Sequence, residues 1–247
     1  MIVVTLTSWT KRINNVLEVV KSVMSNSLQP DRLYLNLSKT EFEGIELPKN
    51  LIDYFASDDR LILNWVEGEN TKTMKKVFPI LKYLNDDDII INIDDDMNIP
   101  SNFIEKRIDE YKKFGMAISG SNNPRFHHKV YYGGEMDFWI CCGASCFPKK
   151  YLNGWNKIIT DEIIQTYNDD FTYTMISWIN GYRFKPCLEI STHSGISQVK
   201  LTKFNDNDGM GRTRSYTRDS VVIEMYDKRC LELFGKSVKD CFGVNEN

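Results

Sequence analysis

Residues 86–100 read Asp-Asp-Asp-Ile-Ile-Ile-Asn-Ile-Asp-Asp-Asp-Met-Asn-Ile-Pro, an apolar run closed at both ends by an aspartate triplet. The run predicts a strand over 88–93, the clearest in the chain, with the triplets as its boundaries. Further strands are expected at 2–7, 32–37 and 61–66, where β-branched or alternating apolar residues recur. Between them the apolar spacing turns helical. Ile13, Val16, Leu17, Val20, Val23 and Met24 predict a helix ending before Pro30; a second is expected at 77–84 with Pro79 in its first turn. A third is expected at 101–113 with Ser101 as its N-cap. Such alternation implies an α/β fold, with a mostly parallel sheet carrying helices on both faces. Residues 121–148, richer in Gly, Asn and aromatics, read as short strands and loops. Helices return at 160–180 and 219–234, with no internal repeat or linker.

Composition narrows the function classes. The chain has 247 residues, enough for one large domain or two small ones. Its 31 Lys and Arg against 34 Asp and Glu leave a formal charge of −3, which argues against a protein that coats nucleic acid. Residues 1–7 show no basic segment or cleavage site of a signal peptide. No stretch reaches the roughly 18–20 apolar residues of a membrane span. The expectation is a cytoplasmic protein whose six cysteines are reduced and buried. Cys142 and Cys146 make one loose pair, and His127 and His128 are adjacent, so structural zinc is not expected.

The second triplet, Asp94-Asp95-Asp96, falls where an α/β sheet holds its ligands, beyond the carboxyl end of a strand. On extended backbone, residues two apart share a face, so Asp94 and Asp96 would point together and Asp95 away. Clustered carboxylates repel unless a cation compensates them. Mg²⁺ or Mn²⁺ suits such a pair, since these ions fill their remaining sites with water and phosphate oxygens. The competing reading is a solvated acidic turn; the first triplet is read as a cap or solvated turn of that kind. An EF-hand at 205–209 fails: with Gly209 at loop position six, Phe204 and Ser215 would occupy two ligating positions.

The run into Asp94–Asp96, followed by Asn98-Ile99-Pro100 and a helix, resembles the DxD region of GT-A-fold nucleotide-sugar glycosyltransferases. It is most similar to the inverting family 2 and its bacterial capsule and lipopolysaccharide relatives. Three further elements carry the resemblance. Cys142-Gly143-Ala144-Ser145-Cys146-Phe147 is similar to a small-residue turn that lines the acceptor side. Asn168-Asp169-Asp170, with Phe171, Met175 and Trp178 at helical spacing and then Gly181-Tyr182-Arg183, resembles the family's Glu-Asp motif, with Asp169 in place of Glu. His193 stands where many such enzymes place a metal-binding histidine. The resemblance spans about 1–195, implying a GT-A domain there. Residues 196–247 are expected to be an extension of loop and helix packed on it.

The resemblance implies roles. Asp94 would hold the nucleotide's ribose or base, with Asp95 beside it at the nucleotide. Asp96 would bind the metal, and His193 would complete its shell. Asp170 would be the catalytic base, and Asp169 would position it or bind acceptor. Of the Lys72, Lys75 and Lys76 run, Lys72 and Lys76 are assigned to the diphosphate, while a solvated face is the rival reading for at least one of the three. Arg212, in the Gly209–Arg214 segment, is either a lid over the phosphates or part of a surface loop. Trp139 and Trp155 flank the small-residue turn, as core aromatics or as a platform for a sugar ring.

The function implied is transfer of a sugar, with inversion, from a nucleotide-diphospho donor, UDP-linked by resemblance. The acceptor would be a saccharide or lipid-linked saccharide in surface polysaccharide synthesis, with possible contact to a membrane face and no nucleic-acid partner. Two alternatives stand beside it. A sugar nucleotidyltransferase would want a Gly-rich phosphate loop after the first strand, but residues 8–12 are Ser-Trp-Thr-Lys-Arg. A non-catalytic nucleotide-sugar-binding protein would have no need of Asp169-Asp170.

Overall fold

The computed structural model describes residues 1–68, 70–97, 99–121, 128–131, 136–166, 168–188 and 219–241. Strands β1 (Ile2–Thr7), β2 (Arg32–Ser38), β3 (Leu61–Val66) and β4 (Ile89–Asn92) are mutually parallel. Beyond them lie β5 (Ala117–Ile118), an antiparallel hairpin of β6 (His128–Tyr131) and β7 (Met136–Trp139), then β8 (Cys146–Pro148) and β9 (Phe184–Lys185). All but the hairpin join one sheet in the order β3-β2-β1-β4-β8-β5-β9. Strand β8 runs against both its neighbours. The sheet is therefore mixed but mostly parallel, as expected.

Strand alternation divides the core into two layers. Val4, Leu6, Leu33, Leu35, Leu37, Ile91 and Ile93 pack against α1 (Val16–Met24), α2 (Lys49–Ala56) and α3 (Phe103–Phe114). On the other face lie Val3, Ile90 and Phe147. They meet two 3₁₀ helices (Lys72–Lys76, Phe78–Tyr83), α4 (Trp155–Ile158), α5 (Asp161–Ile164) and α6 (Asp169–Ile179). Val222, Ile223, Tyr226 and Cys230 of α7 (Asp219–Phe234), with Val238 of α8 (Val238–Cys241), join the same layer. Burying each such aliphatic side chain contributes about 1.5–3 kcal/mol.

One local expectation gives way to tertiary structure, and three elements gain detail that periodicity does not carry. The expected N-cap Ser101 is not the cap of α3. Asn102 takes that position without a side-chain bond, and the N–H of Ile104 is instead satisfied by Asn26 Oδ1, from the end of α1, at 3.0 Å. Residues Phe78–Tyr83 form the helical stretch expected at 77–84, wound more tightly than an α-helix. They wind as 3₁₀ turns with i→i+3 bonds, and Pro79, which has no N–H, sits in the first turn of the second 3₁₀ helix. The α-helix at Lys49–Ala56 buries only Leu51 and Phe55, too little periodicity to announce itself. The helices expected at 160–180 are α5 and α6, with Asn168 opening the second. Among the described residues no helix is long and apolar enough to cross a membrane.

Candidate active site

Strands β2 and β3 extend the sheet to one side of β1, and β4 returns on the other, so the order reverses between β1 and β4. That is where a doubly wound sheet opens a crevice at its carboxyl edge. Strand β4 stops at Asn92, and Asp95-Asp96 lie in a turn. The two-residue alternation expected of Asp94 and Asp96 therefore does not govern them, and they take different cationic partners. Asp94 Oδ1 lies 2.6 Å from Lys76 Nζ, whereas Asp96 Oδ2 lies 3.3 Å from Arg12 Nη1.

Asp95 is the buried member of the triplet. The Ser8 hydroxyl donates to its Oδ2 at 2.7 Å, and Arg12 Nη1 donates to Oδ1 at 2.8 Å. Burial pushes its pKa up against the opposing pull of Arg12 and Ser8. Both oxygens thus tie the DxD turn to the loop after β1. Neither Ser8 nor Arg12 stood out in the sequence. The available signal was their position directly after the first strand, at the same edge as the aspartates.

Lys76 joins the two acidic motifs. Its ammonium reaches Asp94 at 2.6 Å and Asp169 Oδ2 at 3.1 Å, and its side chain is only 8% exposed. Burial works against its charge, but Asp169, Asp94 and Asp170 outweigh burial and hold its pKa well above the ordinary value. Lys75 is buried as well, bonded to Glu41 at 3.0 Å and Asn70 at 3.3 Å, with its pKa lowered by burial. Lys72 is half-buried, with the left-handed φ of 57° and its N–H on Asn70 Oδ1. The solvated-face reading thus fails for Lys75 and Lys76.

Asp169 and Asp170 open α6, capped by Asn168 Oδ1, which accepts from the Phe171 N–H at 3.2 Å. A helix start favours negative charge. Against that, burial and the neighbouring Asp169 raise the Asp170 pKa well above the ordinary carboxylate range, with Lys76 opposing and Asp94 adding to the rise. Asp170 Oδ1 is buried without a hydrogen-bond partner. A carboxylate of that kind is a stronger proton acceptor than an exposed one.

The small-residue turn is held by its own bonds. The Ala144 N–H donates to the Asn92 carbonyl at 2.6 Å, and Ala144 has a φ of 71°. The Cys141 N–H donates to Thr174 Oγ1, whose hydroxyl bonds the Asp170 carbonyl at 2.8 Å. A Cβ on Gly143 would collide with the Asp94 carboxylate, and one on Gly120 with the Gly143 carbonyl. Glycine thus permits the close approach of 120, 143 and Asp94.

Other expected residues find plainer places. Trp155 stacks on Phe78 with ring centroids 4.5 Å apart, and Trp139 packs against the same layer. In the first triplet, Asp88 accepts from the Asn85 N–H and pairs with the amino terminus, while Asp86 and Asp87 pair with Lys149 and Lys150. The described cysteines are free thiols, buried except for half-buried Cys241. His193, Arg212 with the rest of 209–214, His127 and the rejected calcium loop lie outside the described residues.

No protein-family model matches the sequence, and no curated protein matches it. Solved structures do. A 1–349 fragment of S. aureus TarS in complex with UDP-GlcNAc superposes with a TM-score of 0.60 at 10% identity, covering 96% of this chain and 67% of that one. The same fragment in complex with UDP gives 0.54 at 9% identity, over 93% and 65%. A longer TarS chain gives 0.54 at 10% identity, over 94% of this chain and 44% of its own. The GT-A fold expected from the sequence is thus the fold observed.

Proposed function

We propose that this chain is a glycosyltransferase that moves a sugar from a nucleotide-diphospho donor, UDP-linked, to a saccharide or lipid-linked saccharide acceptor, with inversion. The observation that carries the reading is Lys76, which ties Asp94 of the DxD turn to Asp169 beside Asp170 at the sheet's switch point. The TarS fold, bound to UDP-GlcNAc in one of its structures, supports the choice of donor.

In this reading Asp94 faces the nucleotide's ribose or base, and Asp95 holds the turn through Ser8 and Arg12. Lys76 and Arg12 meet the diphosphate, with Lys72 and Arg212 as further phosphate partners. Asp170 takes the proton of the acceptor hydroxyl as that oxygen attacks the anomeric carbon, and Asp169 keeps it oriented. The nucleoside diphosphate leaves from the opposite face, so the anomeric configuration inverts.

The donor set suits a hard divalent cation. Asp94 and Asp96 keep 38% and 26% side-chain exposure while Asp95 is buried. Among the described residues no group of three or more His, Cys, Asp or Glu forms a metal cage. Asp96, with the proposed His193, would hold Mg²⁺ or Mn²⁺ and leave sites for water and phosphate. Bound there, such an ion would stabilise the charge developing on the departing diphosphate. Donor hydrolysis or transfer, followed by release of nucleoside diphosphate across a panel of nucleotide sugars with and without Mn²⁺, tests the proposal. Absence of both binding and turnover for every donor would overturn it.

A further inference from the structure

Each of the first four strands carries a polar residue close to its carboxyl end, Thr5, Asn36, Asn64 and Asn92 in turn. The register sets Thr5 opposite Asn92 and Asn36 opposite Asn64. Thr5, Asn36 and Asn92 are fully buried. Interior amides are unfavourable unless their bonds are used, and three of these four side chains are spent on one chain of contacts. Asn64 Nδ2 donates to Asn36 Oδ1 at 2.7 Å. Asn36 Nδ2 then donates to the Lys76 carbonyl at 3.1 Å and to Thr5 Oγ1 at 2.9 Å, and the Thr5 hydroxyl donates to the same Lys76 carbonyl at 2.5 Å.

The target of this chain is unusual. Lys76 ends the first 3₁₀ helix, and the next begins at Phe78. In a continuous α-helix the Lys76 carbonyl would accept from the Ile80 N–H, but that N–H goes to Val77. The freed carbonyl turns to the sheet, and the side chain on the same residue reaches Asp94 and Asp169. Two residues earlier, the Tyr173 hydroxyl of α6 donates to the Met74 carbonyl at 3.3 Å.

We propose that Thr5 and Asn36, braced by Asn64, are positioning residues that fix the Lys76 backbone so that its ammonium spans the two acidic motifs. They touch no substrate themselves. The inference rests on the reading of Lys76 as a partner of the donor diphosphate. Misplacing such a group by about 1 Å typically lowers turnover on the order of 10²-fold.

The test is a double-mutant cycle with a conservative rescue. Thr5→Val keeps the shape and loses the hydroxyl; Thr5→Ser keeps the hydroxyl. Thr5→Val and Asn36→Leu are each expected to lower donor kcat/KM on the order of 10²-fold, and Thr5→Ser to restore most of it. In a Lys76→Met background, Thr5→Val should change kcat/KM by no more than about 2-fold, the limit of ordinary additivity. Equal losses in both backgrounds, or a Thr5→Val enzyme equal to wild type, would overturn the proposal. Lysine acylation read by mass spectrometry supplies a readout free of activity: Lys76 is protected in wild type and Thr5→Ser, and labelled in Thr5→Val. If no form turns over any nucleotide sugar, the transferase reading falls and this footprint decides the positioning. Unchanged protection of Lys76 in Thr5→Val then refutes it. Should Asn36→Leu fail to fold, the near-isosteric Thr5 pair carries the test.

Discussion

Lys76→Met separates a buried structural ion pair from a surface one. Methionine approximates the lysine stem, so little of the effect arises from an empty cavity. What is removed is the cation between Asp169, 12% exposed, and Asp94, 38% exposed. Stripping one partner from a buried pair costs about 3–5 kcal/mol. The half-exposed Asp94 contact adds no more than about 1 kcal/mol after solvent screening. A proton on the neighbouring Asp170 offsets part of this, so the expected loss at pH 7 is about 3 kcal/mol. Urea unfolding at several pH values reads it out. Without Lys76, Asp170 loses the charge that opposes its raised pKa and binds its proton still more tightly in the folded state than in the unfolded one. The variant's stability therefore falls as pH rises, and its deficit against wild type widens with pH. Adding Asp169→Asn should return part of the loss. A deficit below about 1 kcal/mol, the level of a surface pair, or one that does not change with pH, would refute the account of Lys76 as a buried bridge.

Further expectations follow from the same geometry. Asp170→Asn should lower kcat about 10²–10⁴-fold with donor affinity retained, and should remove the acidic limb of the pH–rate profile. The Asp170 pKa lies above the unfolded value of about 3.9, so wild-type stability falls as pH rises through that window. Asp170→Asn escapes this loss; urea midpoints should show it more stable at neutral pH and converging with wild type below the window. Gly143→Ala sets a Cβ against the Asp94 carboxylate and should weaken donor binding on titration while leaving Tm nearly unchanged. Asn92 is fully buried with neither amide atom hydrogen-bonded, so Asn92→Leu should raise stability by about 1 kcal/mol in thermal unfolding.

The strands were legible in the sequence because an apolar run between turn residues has few other solutions. The Asp triplet marked the carboxyl edge of the sheet for the same reason: it follows β4 at the switch point. Asp95 could not be distinguished from its neighbours in that way, because its burial depends on Ser8 and Arg12, more than eighty positions away. Likewise Lys72, Lys75 and Lys76 are equivalent as letters. What separates them is a backbone break at Val77 and a carbonyl clamped by β1 and β2. The cap of α3 departs from the local rule because Asn26, two residues past α1, satisfies an N–H of its first turn. Periodicity reports which face is buried; it says nothing of which distant partner occupies a buried polar atom.

In the proposed function Asp94–Asp96 and Asp169–Asp170 form one donor-binding and proton-accepting site. Incubating wild type and Asp170→Asn with UDP-sugars and Mn²⁺, and following UDP release beside donor binding by calorimetry, tests it directly. Both proteins should bind donor, and only wild type should release UDP at an appreciable rate. Equal UDP release by the two, or no donor binding by either with or without the metal, would contradict it.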